Sequence, residues 1–229
     1  PGKRAWYGMF PQLGAPIGLL LSGGTFLLLS DLLTEEQFFD YGWRIPFIAS
    51  SLLVVVGFYI RLKITETPSF ENALETKKQV KIPIMTILKS YKWELIFGTF
   101  AAVATFVTFY LMTVFSLSWA TSDLGFSRRD FLIIQLFSIL FFVAGIPISA
   151  VLADKKKKKK VLVLISILIL LFGFTFSFFM DSGSSAMITT FVCIGMGLMG
   201  LTYGPLGTFL SELFPTEVRY SGASLTFNL

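Results

Sequence analysis

Histidine is absent, cysteine occurs once, at Cys193, and only 14% of the 229 residues are charged. Without His and with a lone Cys, the usual Cys/His zinc cluster cannot be assembled and no intrachain disulfide can close. A charged fraction this far below the ~25% of soluble domains excludes a water-soluble globule. Metal and redox chemistry fall away together, so no metal site and no cofactor are expected. What the chain has in excess is apolar length, with 54% hydrophobic residues and a mean hydropathy of +0.74.

That apolar content is gathered into six nearly uncharged stretches, at 9–30, 45–60, 94–120, 131–153, 161–180 and 186–211. A helix rising ~1.5 Å per residue crosses a hydrocarbon core of ~30 Å with about this many residues. The second is short and needs Arg61 and Lys63 to snorkel toward the headgroups. Strands are excluded, because the runs lack period-2 alternation and an open sheet cannot leave backbone groups unpaired in lipid. The expected fold class is an all-α polytopic membrane protein, with the lipid bilayer as its first partner.

Charge orients the spans, since Lys and Arg collect in cytoplasmic loops. Alternating the loops puts sixteen basic residues on one side: Lys3, Arg4, those from Arg61 to Lys92, Lys155 to Lys160, and Arg219. The other side holds only Arg44, Arg128 and Arg129, and with seven acidic residues on each side the balances are +9 and −4. Arg4, the 61–93 segment and Lys155–Lys160 are therefore expected in the cytoplasm, in a multi-pass protein of the cell membrane. Membrane orientation explains the basic residues, and a nucleic-acid partner is not needed.

The polar stretch from Arg61 to Trp93 reads as a link between two bundles, and the residues between Pro68 and Pro83 predict a short amphipathic surface helix. Glu212-Leu-Phe-Pro215-Thr-Glu-Val-Arg219 gives Glu-x6-Arg at the end of the sixth span, and Arg4 opens the first span as Arg219 opens a new one. Six spans lie between the two arginines, so the repeating unit is six helices and the design is 6 + 6. The start at Pro1-Gly2-Lys3-Arg4 and the end at Asn228-Leu229 then predict a fragment holding helices five to ten and the beginning of eleven. The expected division is 1–60 for the last two helices of the first bundle, 61–93 for the linker, and 94–229 for the second bundle.

These strings carry a resemblance. Arg4 with Tyr7-Gly8, Pro11-Gln12-Leu13-Gly14-Ala15-Pro16-Ile17-Gly18, Gly42-Trp43-Arg44-Ile45-Pro46-Phe47, Glu66-Thr67-Pro68-Ser69-Phe70 and Glu212 to Gly222 resemble the major facilitator superfamily. Within it they look like the metabolite:proton symporters that carry shikimate, 2-oxoglutarate, citrate, proline or betaine. The Gly-Trp-Arg-Ile-Pro-Phe string is the most specific, whereas Glu-x6-Arg is shared with sugar carriers. The loop between helices eight and nine departs from the family's Gly-x3-Asp-(Arg/Lys)-x-Gly-(Arg/Lys): Asp154 and Lys155 match, but Ala150 and Lys157 stand at the Gly places. The resemblance implies a monomeric alternating-access carrier for a small organic solute and protons, with charge pairs among Arg4, Asp154, Glu212 and Arg219 closing the cytoplasmic mouth.

Cavity candidates come from polar residues inside apolar spans. Gln135, Ser138, Gly145 and Ser149 share one helical face, and a neutral amide such as Gln135 must meet a helix, a ligand or water. Gln12, Tyr110, Tyr203 and Asn228 complete the substrate-binding set, while Ser and Thr more simply bond to their own backbone. Gly14, Gly18 and Ser22, and Cys193 to Ser211 at intervals of three or four, read as close-packing faces. No span interior holds an ionisable Asp, Glu, Lys, Arg or His, so a proton-carrying group, if there is one, belongs on helices one to four. A membrane enzyme lacks its general base and paired carboxylates, so no catalytic residue is assigned, and a channel lacks a charged ring. A secondary transporter is expected, of organic acids or zwitterions first and of sugars second.

Overall fold

A computed structural model describes residues 3–63 and 83–229. The helices among them are α1 (Arg4–Leu32), α2 (Glu35–Lys63), α3 (Pro83–Ser90), α4 (Lys92–Ser122), α5 (Arg128–Lys155), α6 (Lys158–Gly173), α7 (Phe176–Met180), α8 (Ser185–Glu212) and α9 (Arg219–Asn228). No strand occurs among the described residues, and α1, α2, α4, α5 and α8 are each long and apolar enough to cross a membrane. The amphipathic helix expected between Pro68 and Pro83 lies outside the described residues.

Two compact units divide the chain, one made of Pro1–Ile17 with Val80–Leu229 and the other of Gly18–Gln79. In the second unit the short span expected at 45–60 is corrected, because α2 begins at Glu35 and reaches 29 residues. A capping box explains that start: Thr34 accepts from the Gln37 backbone N–H, and the Gln37 side chain accepts from the Thr34 N–H. A π-helical turn over Phe38–Gly42 then carries the chain into Arg44–Lys63. The Phe26 ring meets Phe38 and Phe47 edge-on, at 6.4 and 6.3 Å. Arg44–Lys63 has no buried residue, so its apolar surface is left for lipid or for other helices.

The first unit is built on α5 against α8. Gly145 sits so close to α8 that a Cβ there would stand 2.7 Å from the Gly197 carbonyl oxygen and 3.0 Å from the Gly200 Cα. Gly204 likewise faces the Ile146 carbonyl and Ser149, so within the Cys193–Ser211 pattern Gly200 and Gly204 make true backbone contacts, whereas a Cβ on Gly14 or Gly18 of α1, read as a second close-packing face, would meet nothing within 4 Å. Phe142 and Ile146 of α5 are fully buried along this seam, while Phe191 and Leu206 are buried on other faces of α8, against the rings of Phe172 and Phe176 and against Ala102. At one end, α3 docks through Ile87 onto Leu95, Phe214 and Val218.

The span expected as one helix at 161–180 is two. After Gly173 the Phe174 and Thr175 N–H groups bond three residues back, to Leu171 at 3.2 Å and Phe172 at 3.0 Å. The Thr175 hydroxyl also donates to the Phe172 carbonyl, which tightens the turn and ends α6. Aromatic packing holds the two pieces: Phe172 stacks on Phe191 of α8 at 4.5 Å, and Phe176 meets the same ring edge-on at 5.6 Å.

Candidate functional site

The start of α1 carries a basic sequence and no residue suited to cap a helix. Its first helical hydrogen bond runs from the Tyr7 N–H to the Lys3 carbonyl, which leaves the Ala5 and Trp6 N–H groups without intrahelical acceptors. Asp154, at the end of α5, supplies both: Oδ1 accepts from Ala5 at 2.8 Å and Oδ2 from Trp6 at 2.9 Å. A carboxylate here also faces the positive end of the α1 dipole. The partner of Asp154 is thus a helix end, and its lysine neighbours are not what holds it.

Glu212, at the end of α8, accepts from Lys158 Nζ at 2.6 Å and lies 3.7 Å from the Arg4 guanidinium. The Lys158 side chain is only 15% exposed, whereas that of Arg4 is 72% exposed, so the Lys158 pair is the better shielded of the two. Three of the four expected gate residues, Arg4, Asp154 and Glu212, therefore meet at one end of this unit. Arg219 joins them only as lining of a cleft of about 930 Å³ shared with Arg4, Tyr7 and Glu212. Its ion pair with Glu212 does not form; Arg219 Nε donates to the Phe214 carbonyl at 3.2 Å and closes the turn before α9. Lys158 was hidden in a run of six lysines, and nothing in the run marks which one reaches a carboxylate. Lys157, at a family Gly place, has φ −69°, which any residue adopts, so losing that Gly costs no backbone strain.

The cavity candidates separate into three places. Gln12 of α1 lies over Gly207 and donates from Nε2 to the Tyr203 carbonyl at 3.4 Å, so those two candidates touch each other. Tyr203 is 9% exposed, and its ring packs edge-on against Phe142 at 5.5 Å and tilts against Phe227 at 6.2 Å. Tyr110 and Asn228 share a groove of about 820 Å³ between α4 and α9, whose other walls include Phe106, Val114 and Phe227. Asn228 Nδ2 donates to its own helix at Ser224, 2.8 Å away. Gln135 stands apart from both: its amide donates to the Met112 and Thr113 carbonyls of α4 at 3.0 and 2.6 Å. Thr99, on the groove, and the fully buried Thr105 keep hydroxyl oxygens without a hydrogen-bond partner; Thr105 recurs at helical spacing with Thr108 and Met112 in the sequence, whereas nothing there marks Thr99. Among the described residues no group of His, Cys, Asp and Glu could hold a metal ion.

Helices of this length, a glycine seam between two of them and a charged junction at one helix end fit the resemblance drawn above, and the profile of the Major Facilitator Superfamily matches residues 4–229. The chain belongs to the Major Facilitator Superfamily. Over its whole length it is 47% identical to the inner membrane metabolite transport protein YhjE of Escherichia coli K12, of which it covers 53%. It is 30% identical to the shikimate transporter of the same organism, across 99% of this chain and 52% of that protein. The proline/betaine transporter of Escherichia coli K12 is 24% identical, across 99% of this chain and 47% of its own length. The chain spans about half the length of the curated relatives it matches. No solved structure matches. This superfamily chain is an all-α multi-pass membrane protein.

Proposed function

We propose that this chain is part of a secondary active transporter that imports a small organic acid or zwitterionic metabolite together with protons, by alternating access. The observation that carries the reading is the grip of Asp154 and Glu212 on the start of α1: a helix that the repeat assigns to one bundle is held there by residues of the other, through charge-assisted bonds. Bonds of this kind can be made in one state and released in another, since each contributes a modest free energy near the membrane surface. Residues 1–60 are then the last two helices of the first bundle, 61–93 the linker, and 94–229 the second bundle through the start of helix eleven. Arg4, the 61–93 linker and Lys155–Lys160 face the cytoplasm of the plasma membrane, and the full-length protein works as a monomer. Gln12, Tyr110, Tyr203 and Asn228 line the path of the solute, and Gln135 supports it. The names of the relatives point to shikimate-like acids and to betaines as solutes.

The test is uptake by the full-length protein in liposomes, acid outside, with shikimate, proline, glycine betaine and glucose supplied in turn. Saturable uptake of an acid or zwitterion that collapses with the proton gradient, and shows counterflow, is expected. Uptake of glucose alone would make it a sugar carrier, and non-saturating flux would make it a channel.

A further inference from the structure

We propose that Gln135 is a positioning residue that pins a π-helical turn in α4, and that this turn sets the shape of the groove between α4 and α9. Its consequence for transport rests on the carrier reading above.

The π turn covers Leu111–Phe115, and within it the Ser116 N–H bonds to the Leu111 carbonyl, five residues back. An α-helix would have used the Met112 carbonyl. That freed oxygen receives Gln135 Nε2 at 3.0 Å, and the next carbonyl, Thr113, receives it at 2.6 Å. The Ser116 hydroxyl adds a second bond to Leu111, at 2.7 Å. In lipid or protein interior a carbonyl stripped of its helical donor is costly, so the turn persists where such donors exist. The Met112 side chain is 3% exposed and occupies the notch left by Gly195 of α8, where a Cβ would collide with its sulfur. The back of the turn is thereby held by both α5 and α8.

The front of the turn is the groove. Tyr110, Leu111, Val114 and Phe115 line it, as do Thr99 before the turn and Ser118 after it. In an unbroken α-helix of ~3.6 residues per turn, the step from Thr99 to Ser118 is about 100° out of line. The extra residue of a π turn removes about that angle, which is how both ends of α4 come to face one groove. Gln135 therefore decides which side chains of α4 beyond Phe115 stand in line with Thr99 on the face toward α9, without lining that face itself.

The experiment uses the full-length protein in membranes, freed of other reactive cysteines, with single cysteines at Val103 or Ser118 and a charged methanethiosulfonate as probe. Interhelical hydrogen bonds of ordinary membrane strength correspond to about a threefold to tenfold change in the ratio of bulged to unbulged helix, which is the upper bound on the change in labelling. Gln135→Leu is expected to slow labelling at Ser118→Cys by up to that factor and to leave Val103→Cys unchanged. Deleting Thr113, which restores an α-helical count, is expected to slow labelling at 118 at least as much, and Gln135→Leu in that background is expected to add nothing to the labelling effect. The KM of a transported solute should rise in parallel. Unchanged labelling at 118, or additive effects of the substitution and the deletion, would overturn the proposal, since Gln135 would then act by general packing. A parent protein that transports nothing, yet shows the labelling pattern, would overturn the carrier reading and leave the pin in place.

Discussion

Asp154 and Ala5 are 149 residues apart in sequence and joined by a 2.8 Å hydrogen bond from a backbone N–H to a carboxylate oxygen. With the parallel bond to Trp6, Asp154 does for α1 what an N-terminal Asp or Ser does for its own helix, from a different helix altogether. A cap supplied in this way ties helix formation at Arg4 to the position of α5. When the two separate, α1 must find water or lipid headgroups for the same two donors.

Asp154→Ala removes both acceptors, at a cost of about 0.5–2 kcal/mol by analogy with caps inside one helix. Asp154→Asn keeps one acceptor and loses the charge, so it should fall between the wild type and Ala. Thermal midpoints of the purified full-length protein and thiol labelling of a cysteine at Trp6 report the two effects. Identical midpoints and identical labelling in all three proteins would show that the bond does not hold α1.

Glu212→Gln is expected to shift the balance of inward and outward accessibility more than Arg219→Ala. Glu212 faces Lys158 and Arg4, whereas Arg219 holds only the Phe214 carbonyl within its own turn among the bonds described above. Removing one partner of a state-specific contact moves the populations by the free energy that contact contributes to one state alone. Labelling of both faces of the two variants decides this. A larger shift for Arg219→Ala would make Arg219 the leading member of the charge gate that the resemblance implies.

Apolar length made the spans legible, because crossing lipid leaves the backbone few alternatives, and small residues at three- and four-residue intervals made the α5–α8 seam legible. Gln135 was legible as a residue needing a partner, since an amide among apolar side chains is costly. Which carbonyls it meets was not, because they exist as free acceptors only where α4 opens into a π turn. The early start of α2 was hidden behind Glu35, Glu36 and Asp40, which break the hydropathy signal, although Thr34-x-x-Gln37 is a readable capping box. Asp154 was marked by its match to the family's loop pattern, yet its partners are backbone groups, which carry no signature in sequence.

Cysteines placed at Lys157 and Asp123 should label from opposite sides of the membrane. The two positions bracket α5, a single helix of 28 residues, and the split of basic residues predicts that Lys157 is inside. Glu212, which pairs with Lys158, and Arg4, which lies against Glu212, should label with Lys157. An impermeant maleimide on intact cells is expected to reach Asp123→Cys at once and Lys157→Cys only after permeabilisation. Labelling of both from one side would sink the topology.

Gly145→Ala and Gly197→Ala should have opposite signs, although both replace a glycine of the same helix pair. In a helix interior Ala is favoured over Gly by up to ~1 kcal/mol, so propensity alone predicts stabilisation at each site. Space separates them. A Cβ on Gly197 meets Phe141 at an ordinary 3.8 Å, while one on Gly145 meets backbone atoms of α8 at 2.7 to 3.0 Å. Backbone cannot rotate aside as a side-chain tip can, so α5 and α8 must move apart and lose contact along the seam, at about 1–3 kcal/mol. Gly145→Ala is therefore expected to lower the thermal midpoint of the purified full-length protein and Gly197→Ala to hold or raise it. A midpoint for Gly145→Ala at or above that of Gly197→Ala would mean that the two helices are not in backbone contact in the membrane.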